Sequence, residues 1–330
     1  MSREKTRDVT ALGELLIDFT ENGQSGQGNP LFEANPGGAP CNVLSMLSGL
    51  GHKTAFIGKV GNDMFGRMLK ERAGAQGIDL AGLEMDPEIP TTLAFVQKLP
   101  NGDRDFSFYR KPGADIMLTE EEVEAHCGLI EEARIFHLGT LSMTHEAVDR
   151  ATKRALSIAR ESGALISFDP NYREPLWASE EAAKEKIRFG MEQCDIMKIS
   201  DNEVTLMTGK EDIAEGVQEL IRQYHIPLVF ATLGKDGSMA FYKGMEIYRA
   251  GFLNPRTIET TGAGDTFCAS ALHFVLENGG LEGFTEEKLL ELLTFANAAA
   301  SLITTRKGAL AVMPTKEEVE NYLREQGVNA

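Results

Sequence analysis

Cysteine is scarce and scattered in this chain: Cys41, Cys127, Cys194 and Cys268 form no C-x-x-C pair. That spacing argues against a zinc ligand set or a disulfide scaffold and leaves small buried thiols in a reducing compartment. The six histidines show no H-x-x-x-H or H-E-x-x-H spacing, so no histidine metal motif is written in the sequence. Basic charge is also short, with 33 Lys and Arg against 50 Asp and Glu and a net charge of −17. A surface that attracts nucleic acid or anionic lipid is therefore not expected, whereas a small-molecule site with local positive charge is. No apolar run approaches the length of a membrane span. The charged segment Met1–Thr10 lacks the apolar stretch of a signal peptide, so the cytoplasm is the expected location. Repeats, low-complexity tracts, long linkers and a G-x-x-x-x-G-K-[ST] phosphate loop are absent too.

What is present is a globular composition, 42% hydrophobic and 25% charged over 330 residues, read as a single domain spanning residues 1–330. Strand-like runs at Val9–Phe19, Thr54–Val60, Ile135–Leu138, Ala164–Phe168, Ile196–Ile199 and Leu228–Leu233 alternate with helical patterning. The helical stretches are Ala39–Gly51, Asp63–Gln76, His145–Ser162, Glu180–Glu192 and Ala214–Tyr224, followed late in the chain by Gly262–Asn278, Glu286–Thr304 and Thr315–Glu325. This alternation predicts a three-layer α/β/α sandwich with a mainly parallel sheet. Ser238–Tyr242 and Met245–Ala250, joined by Lys243-Gly244, read as a hairpin at the sheet edge. Two segments break the rhythm. Glu21–Asn35 reads as an extended excursion, and Thr91–Lys98 with Asp105–Arg110, joined by Leu99–Arg104, reads as a second hairpin. Together, over about residues 20–35 and 88–112, they predict a small β-sheet lid over a cleft.

The chemistry concentrates at Glu259-Thr-Thr-Gly-Ala-Gly-Asp-Thr-Phe267, directly before a helical run. Gly262 and Gly264 let the backbone approach a ligand, and the amides of Gly262, Ala263 and Gly264 at a helix start suit an anion. Phe267 stands where a dinucleotide fingerprint needs its third glycine. Asp265 lies within reach of the same point, where the helix dipole is expected to hold it ionised as a weak, late-acting base. Alone, this motif serves a capped helix equally well. A second cluster, Pro36-Gly-Gly-Ala-Pro-Cys-Asn42, opens another helix: Gly37 and Gly38 allow a polyhydroxy ligand against the backbone, and Asn42 offers donor and acceptor. Asp18, at the end of the first strand run, adds a carboxylate for two hydroxyls. His137 in an apolar strand reads as a satisfied core residue, and Glu120-Glu-Glu122 as a helix opening behind a Thr119 cap.

With both glycine signatures in this order and distance, the chain resembles the ribokinase and fructokinase family of carbohydrate kinases over nearly its whole length. The resemblance implies ATP and Mg²⁺, with Asp265 as catalytic base and Gly262, Ala263 and Gly264 as the anion hole. Asp18, Gly37, Gly38 and Asn42 would hold the sugar. Lys198, Thr232, Gly234, Gly237 and Asn297 would surround the nucleotide. Glu203, in Ser200-Asp-Asn-Glu203, would organise magnesium through water, although the family usually places Asn where Ser200 stands. Where the family often carries Asp to bind a monovalent cation such as K⁺, this chain has Glu259, with carbonyls near Ile303 and Gly308 as the other ligands. Asp169-Pro-Asn-Tyr-Arg173 and Phe108-Tyr-Arg110 look like fructokinases, making Arg110, Asn171 and Arg173 substrate candidates and D-fructose the expected substrate. The first string is shared with 2-keto-3-deoxygluconate kinases, in which an Arg would clamp the substrate carboxylate. A nucleoside kinase and a sugar-binding regulator are the further alternatives. Lid pairing would give a homodimer.

Overall fold

A computed structural model of the chain describes residues 5–98 and 104–328. Nine strands form one sheet: β1 (Arg7–Leu12), β4 (Thr54–Gly61), β5 (Asp79–Asp86), β8 (Ala133–Gly139), β9 (Leu165–Asp169), β10 (Ile196–Ser200), β11 (Leu228–Thr232), β12 (Ser238–Tyr242) and β13 (Met245–Arg249). Their order is β13-β12-β11-β10-β9-β8-β1-β4-β5, parallel except at β12 and β13. A separate four-stranded sheet joins β2 (Leu16–Gln24), β3 (Pro30–Gly37), β6 (Leu93–Lys98) and β7 (Arg104–Tyr109) in the order β3-β2-β6-β7.

The helices are α1 (Ala39–Gly49), α2 (Met64–Ala75), α3 (Glu120–Ala125), α4 (Cys127–Glu131), α5 (Glu146–Glu161), α6 (Glu180–Gln193), α7 (Asp201–Thr208), α8 (Ile213–Tyr224), α9 (Ala263–Glu277), α10 (Glu286–Ile303) and α11 (Lys316–Glu325). They sort onto two faces because successive strand residues point to opposite sides. In β1, Val9 and Ala11 join a core with α1, α2, α9, α10 and α11, while Leu12 joins one with α3 to α6 and α8. The three-layer sandwich expected from the alternating pattern is what forms. Thr119 caps α3 in a reciprocal box with Glu122, as its sequence predicts. Among the described residues no helix is long and apolar enough to cross a membrane.

Three expectations need correction. The run Val9–Phe19 is two strands in two sheets, not one. The chain turns at Gly13, where a Cβ would lie 2.5 Å from Pro40 Cγ, so the lid starts at Leu16 and carries Asp18 with it. The edge strand β5 went unread because Gly82 and alternating acidic residues disguise it. The short helices α4 and α7 fall below the length at which periodicity declares itself. The expected turn at Leu99–Arg104 lies outside the described residues apart from Arg104, which opens β7.

Candidate active site

β1 sits between β8 and β4, so the chain reverses its direction of travel across the sheet there, and a crevice opens at the carboxyl ends of the strands. A cavity of about 310 Å³ occupies this position, with the lid above and the first turns of α1 and α9 at its floor. Asp265 is in the first turn of α9, and Asn42 of α1 donates its Nδ2 to Asp265 Oδ2 at 2.7 Å. The two residues are 223 positions apart, so the contact joins the two glycine signatures in space. Burial raises the Asp265 carboxyl above its ordinary value, against the Asn42 hydrogen bond and the charges of Lys198 and Arg173. This reverses the expectation from the helix dipole alone: desolvation of the carboxylate outweighs it. Asn42 Oδ1 is buried without a hydrogen-bond partner among the described residues, which leaves an acceptor waiting for a ligand donor.

Gly262 caps α9 with φ 77, and a Cβ there would lie 2.8 Å from Ala309 Cβ. The amide of Ala263 does not face the cavity as expected; it donates to Thr260 O at 3.2 Å within the turn. The N–H groups of Gly264 and Asp265, also in the first turn, have no acceptor within the helix and are open donors at its start. A Cβ on Gly264 would lie 3.2 Å from Lys198 Nζ. Lys198 is buried and bridges to both Asp169 oxygens, at 3.2 and 3.1 Å. Burial opposes its charge, but Asp169 and Glu203 raise its pKa, so the ammonium stays protonated.

At the α1 side of the cavity, Gly38 has φ 127, and a Cβ would collide with Glu14 O at 2.3 Å. Gly37 leaves room for Asp18, whose Oδ2 would stand 2.7 Å from a Cβ there. Asp18 lines the cavity from β2, and burial pushes its carboxyl up to about 7, opposed by Arg173 and aided by Asp265 and Glu259. Asn171 takes a positive φ of 45 and donates its N–H to Asp169 Oδ1, placing its side chain in the cavity wall. Arg173 is exposed at the cavity rim, its Nη1 on Tyr172 O at 3.0 Å.

Arg110 is elsewhere. It is buried, its Nε and Nη2 on Asp115 Oδ2 at 2.8 and 2.7 Å and its Nη2 also on Leu141 O at 2.9 Å, and it does not line the cavity. Sequence reasoning also missed Glu14. Fully buried, it accepts the Ala39 N–H at 2.8 Å, lines the cavity and is pushed by burial up to about 7. The signal was there: a lone acid inside the apolar run Ala11–Ile17.

Glu203 is buried too. Oε2 accepts Ser200 N–H at 2.8 Å, closing a capping box on α7, and Oε1 accepts Tyr172 N–H at 2.8 Å. Ser200 thus serves as the helix cap where the family usually has Asn. Glu259 accepts the Gly308 N–H at 2.7 Å and gives its own N–H to Thr304 O, clasping the turn after α10. The remaining nucleotide candidates sit apart from the cavity. Thr232 ends β11, Gly234 opens the following turn with φ 56, and Gly237 has φ 115 with Arg249 O at 2.1 Å from a Cβ position. Asn297 is spent internally, its Oδ1 on Ser238 Oγ at 2.8 Å and its Nδ2 on Arg249 O at 3.1 Å. His137 is a core residue satisfied by Ser167 Oγ at 3.0 Å.

The sequence profile of the pfkB family carbohydrate kinase matches residues 6–316. The chain belongs to the pfkB family of carbohydrate kinases. It is 40% identical over 314 residues to fructokinase-1 of Zea mays, covering 94% of this chain and 96% of the maize protein. Among solved structures, a putative ribokinase II of E. coli in complex with ATP and Mg²⁺ superposes with a TM-score of 0.84 at 26% identity, covering 97% of this chain and 99% of that one. A double mutant of the Vibrio cholerae O395 fructokinase, in its fructose-, ADP- and potassium-bound form, gives 0.84 at 28% identity, covering 97% of this chain and 100% of that one. As a pfkB family member the chain is an ATP-dependent carbohydrate kinase.

Proposed function

We propose that this kinase transfers the γ-phosphoryl group of ATP to the primary hydroxyl of D-fructose, with Asp265 as general base. The observation that carries the reading is the Asp265–Asn42 contact at 2.7 Å, beside the open first-turn amides of Gly264 and Asp265. Asn42 orients the carboxylate, and burial lifts its basicity toward working pH. Asp265 takes the hydroxyl proton as the oxygen closes on phosphorus, and the amides of Gly264 and Asp265 receive the charge that builds on the phosphoryl oxygens. The charged Lys198 adds to that field from beside Gly264, its Nζ 3.2 Å from where a Cβ on that residue would stand. Asp18 and Asn42 Oδ1 accept hydroxyl donors from the sugar.

Glu203 keeps lone pairs beyond its two backbone contacts, and with it the oxygen-rich wall fits a hydrated Mg²⁺. When bound, that ion neutralises phosphate charge. Thr232, Gly234 and Gly237 border the adjoining strand end, where the rest of the nucleotide would extend. The unshielded glycine at 234 has nothing within 4 Å of a Cβ position. Glu259 acts as a clasp on Gly308, and any K⁺ would share a carboxylate already engaged. Exposed Leu31, Phe32 and Tyr109 on the lid support a homodimer through that sheet, which sedimentation would read directly.

A neutral sugar is favoured over a sugar acid by the charge of the wall. Glu14, Asp18, Glu203, Glu259 and Asp265 line it, against Lys198, which is committed to Asp169, and Arg173, which faces Asp18 and Asp265. The test is a substrate panel on purified protein with ATP and Mg²⁺. Fructose is expected to turn over, and turnover of 2-keto-3-deoxygluconate alone would refute the sugar. Asp265→Asn is expected to lower kcat by about 10²–10⁴-fold while fructose still binds by calorimetry; unchanged kcat removes Asp265 from the role of base.

A further inference from the structure

On the opposite side of the α1–α9 helix pair from the cavity, the fold assembles a cluster that no spacing in the sequence announces. His52, in the turn after α1, places its Nε2 2.7 Å from His273 Nδ1 on α9. Glu277 is one turn further along α9, and one ligand atom from each of the three lies within 4.8 Å of the others. We propose that His52, His273 and Glu277 form a binding site for a divalent transition-metal ion of the zinc class. Two imidazole nitrogens and one carboxylate with the fourth position left to water is a donor set that Zn²⁺ accepts.

Two further observations fit a site rather than a chance pair. His52 presents its other nitrogen, Nδ1, to Asp8 Oδ2 at 3.6 Å, and Asp8 is itself fixed by the Lys53 N–H at 2.9 Å and Arg134 at 3.3 Å. A carboxylate behind a histidine is the arrangement that orients a metal-bound ring. His273 and Glu277 also line a separate 710 Å³ groove between α9, α10 and α11, which gives an ion and its water a way in. Tetrahedral Zn²⁺ needs its two nitrogens about 3.3 Å apart, so the hydrogen-bonded pair opens by roughly half an ångström as the ion enters and the bridging proton shifts to the outer nitrogen of its own ring. Glu277, being exposed, swings to complete the set.

The position gives the site a mechanical meaning. His273 lies about 12 Å along the helix axis from Asp265, and His52 follows the helix that opens with Gly38 and carries Asn42. An ion here ties the far ends of the two helices whose near ends meet at the Asn42–Asp265 contact.

The full chain, stripped of metal by chelator and free of nucleotide, is titrated with Zn²⁺ by equilibrium dialysis and with Co²⁺ by visible absorption. One equivalent should bind, with the visible bands of histidine-ligated Co²⁺ and a higher Tm. Glu277→Gln, an exposed substitution that spares the fold, and His52→Gln should each weaken binding at least tenfold. Asp8→Asn should weaken it about 10–100-fold. Asp265→Asn should leave it unchanged. No binding, binding indifferent to Glu277→Gln and His52→Gln, or binding abolished by Asp265→Asn would each overturn the site, the last by placing the ion among the cavity carboxylates.

Discussion

The two glycine turns that open α1 and α9 read alike in sequence, yet they do opposite work in the fold. At α1, the amide of Ala39 is already taken by the buried Glu14 carboxylate, and the space beside Gly38 is filled by Glu14 backbone. That helix start is a closed, braced corner that presents Asn42. At α9, Ala263 N–H turns back to Thr260, but Gly264 and Asp265 keep amides open toward the cavity, with the Lys198 ammonium behind. A helix amino terminus receives a phosphate only when no side chain has claimed its amides first. Glycine thus means tight backbone packing in one turn and ligand access in the other.

The buried Arg110–Asp115 ion pair should be the costliest part to remove. Arg110→Ala leaves Asp115 buried without its ion pair and should lower unfolding stability by roughly 3–5 kcal/mol, with little change in the sugar KM of the protein that still folds. A selective rise in KM, without loss of stability in denaturant melts, would return Arg110 to the sugar.

Alanine at the two turns tests the contrast itself. Gly38→Ala meets backbone at 2.3 Å under a positive φ and should destabilise by about 3 kcal/mol. Gly264→Ala should change stability by less than about 1 kcal/mol and show itself in kinetics, lowering kcat by about 10²-fold as its methyl presses on the Lys198 ammonium. Equal loss of Tm in the two variants would erase the distinction between the turns.

Glu203→Gln probes the phosphate side. It keeps an acceptor but weakens the α7 cap and the hold on Tyr172, and should cost about 1–2 kcal/mol while raising the Mg²⁺ concentration needed for half-maximal rate. The smallest effect is one of pH. Glu14, lifted by burial to about 7, takes up its proton more readily in the folded chain than its ordinary value of 4.5 allows. Its stabilising share is therefore complete below the ordinary value and is lost as pH rises through about 7. Glu14→Gln should lose less Tm than the unsubstituted chain between about pH 5 and pH 8; matching curves would show that Glu14 is ionised throughout.

Much of this was legible in the residues. Strand and helix runs, the helix cap at Thr119, the edge hairpin at Lys243-Gly244 and the two glycine signatures all rest on local periodicity and turn chemistry. Arg110 was misplaced because a guanidinium in a fructokinase-like string looks the same whether it faces a sugar or an aspartate. Asn297 shows the same ambiguity, its amide engaged on Ser238 and Arg249 in a way the sequence does not reveal. Glu14 was passed over because a single acid among apolar residues gains its meaning only from the amide it meets across 25 positions.

The sequence by itself determined the layered α/β class, the lid excursion and the identity of the Gly262–Asp265 turn, because those follow from neighbours along the chain. The tertiary structure alone decided that Asn42 holds Asp265, that the α1 turn is closed while the α9 turn is open, and that His52 meets His273. Desolvation and hydrogen bonding between distant residues settle such matters, and neither has a local signature.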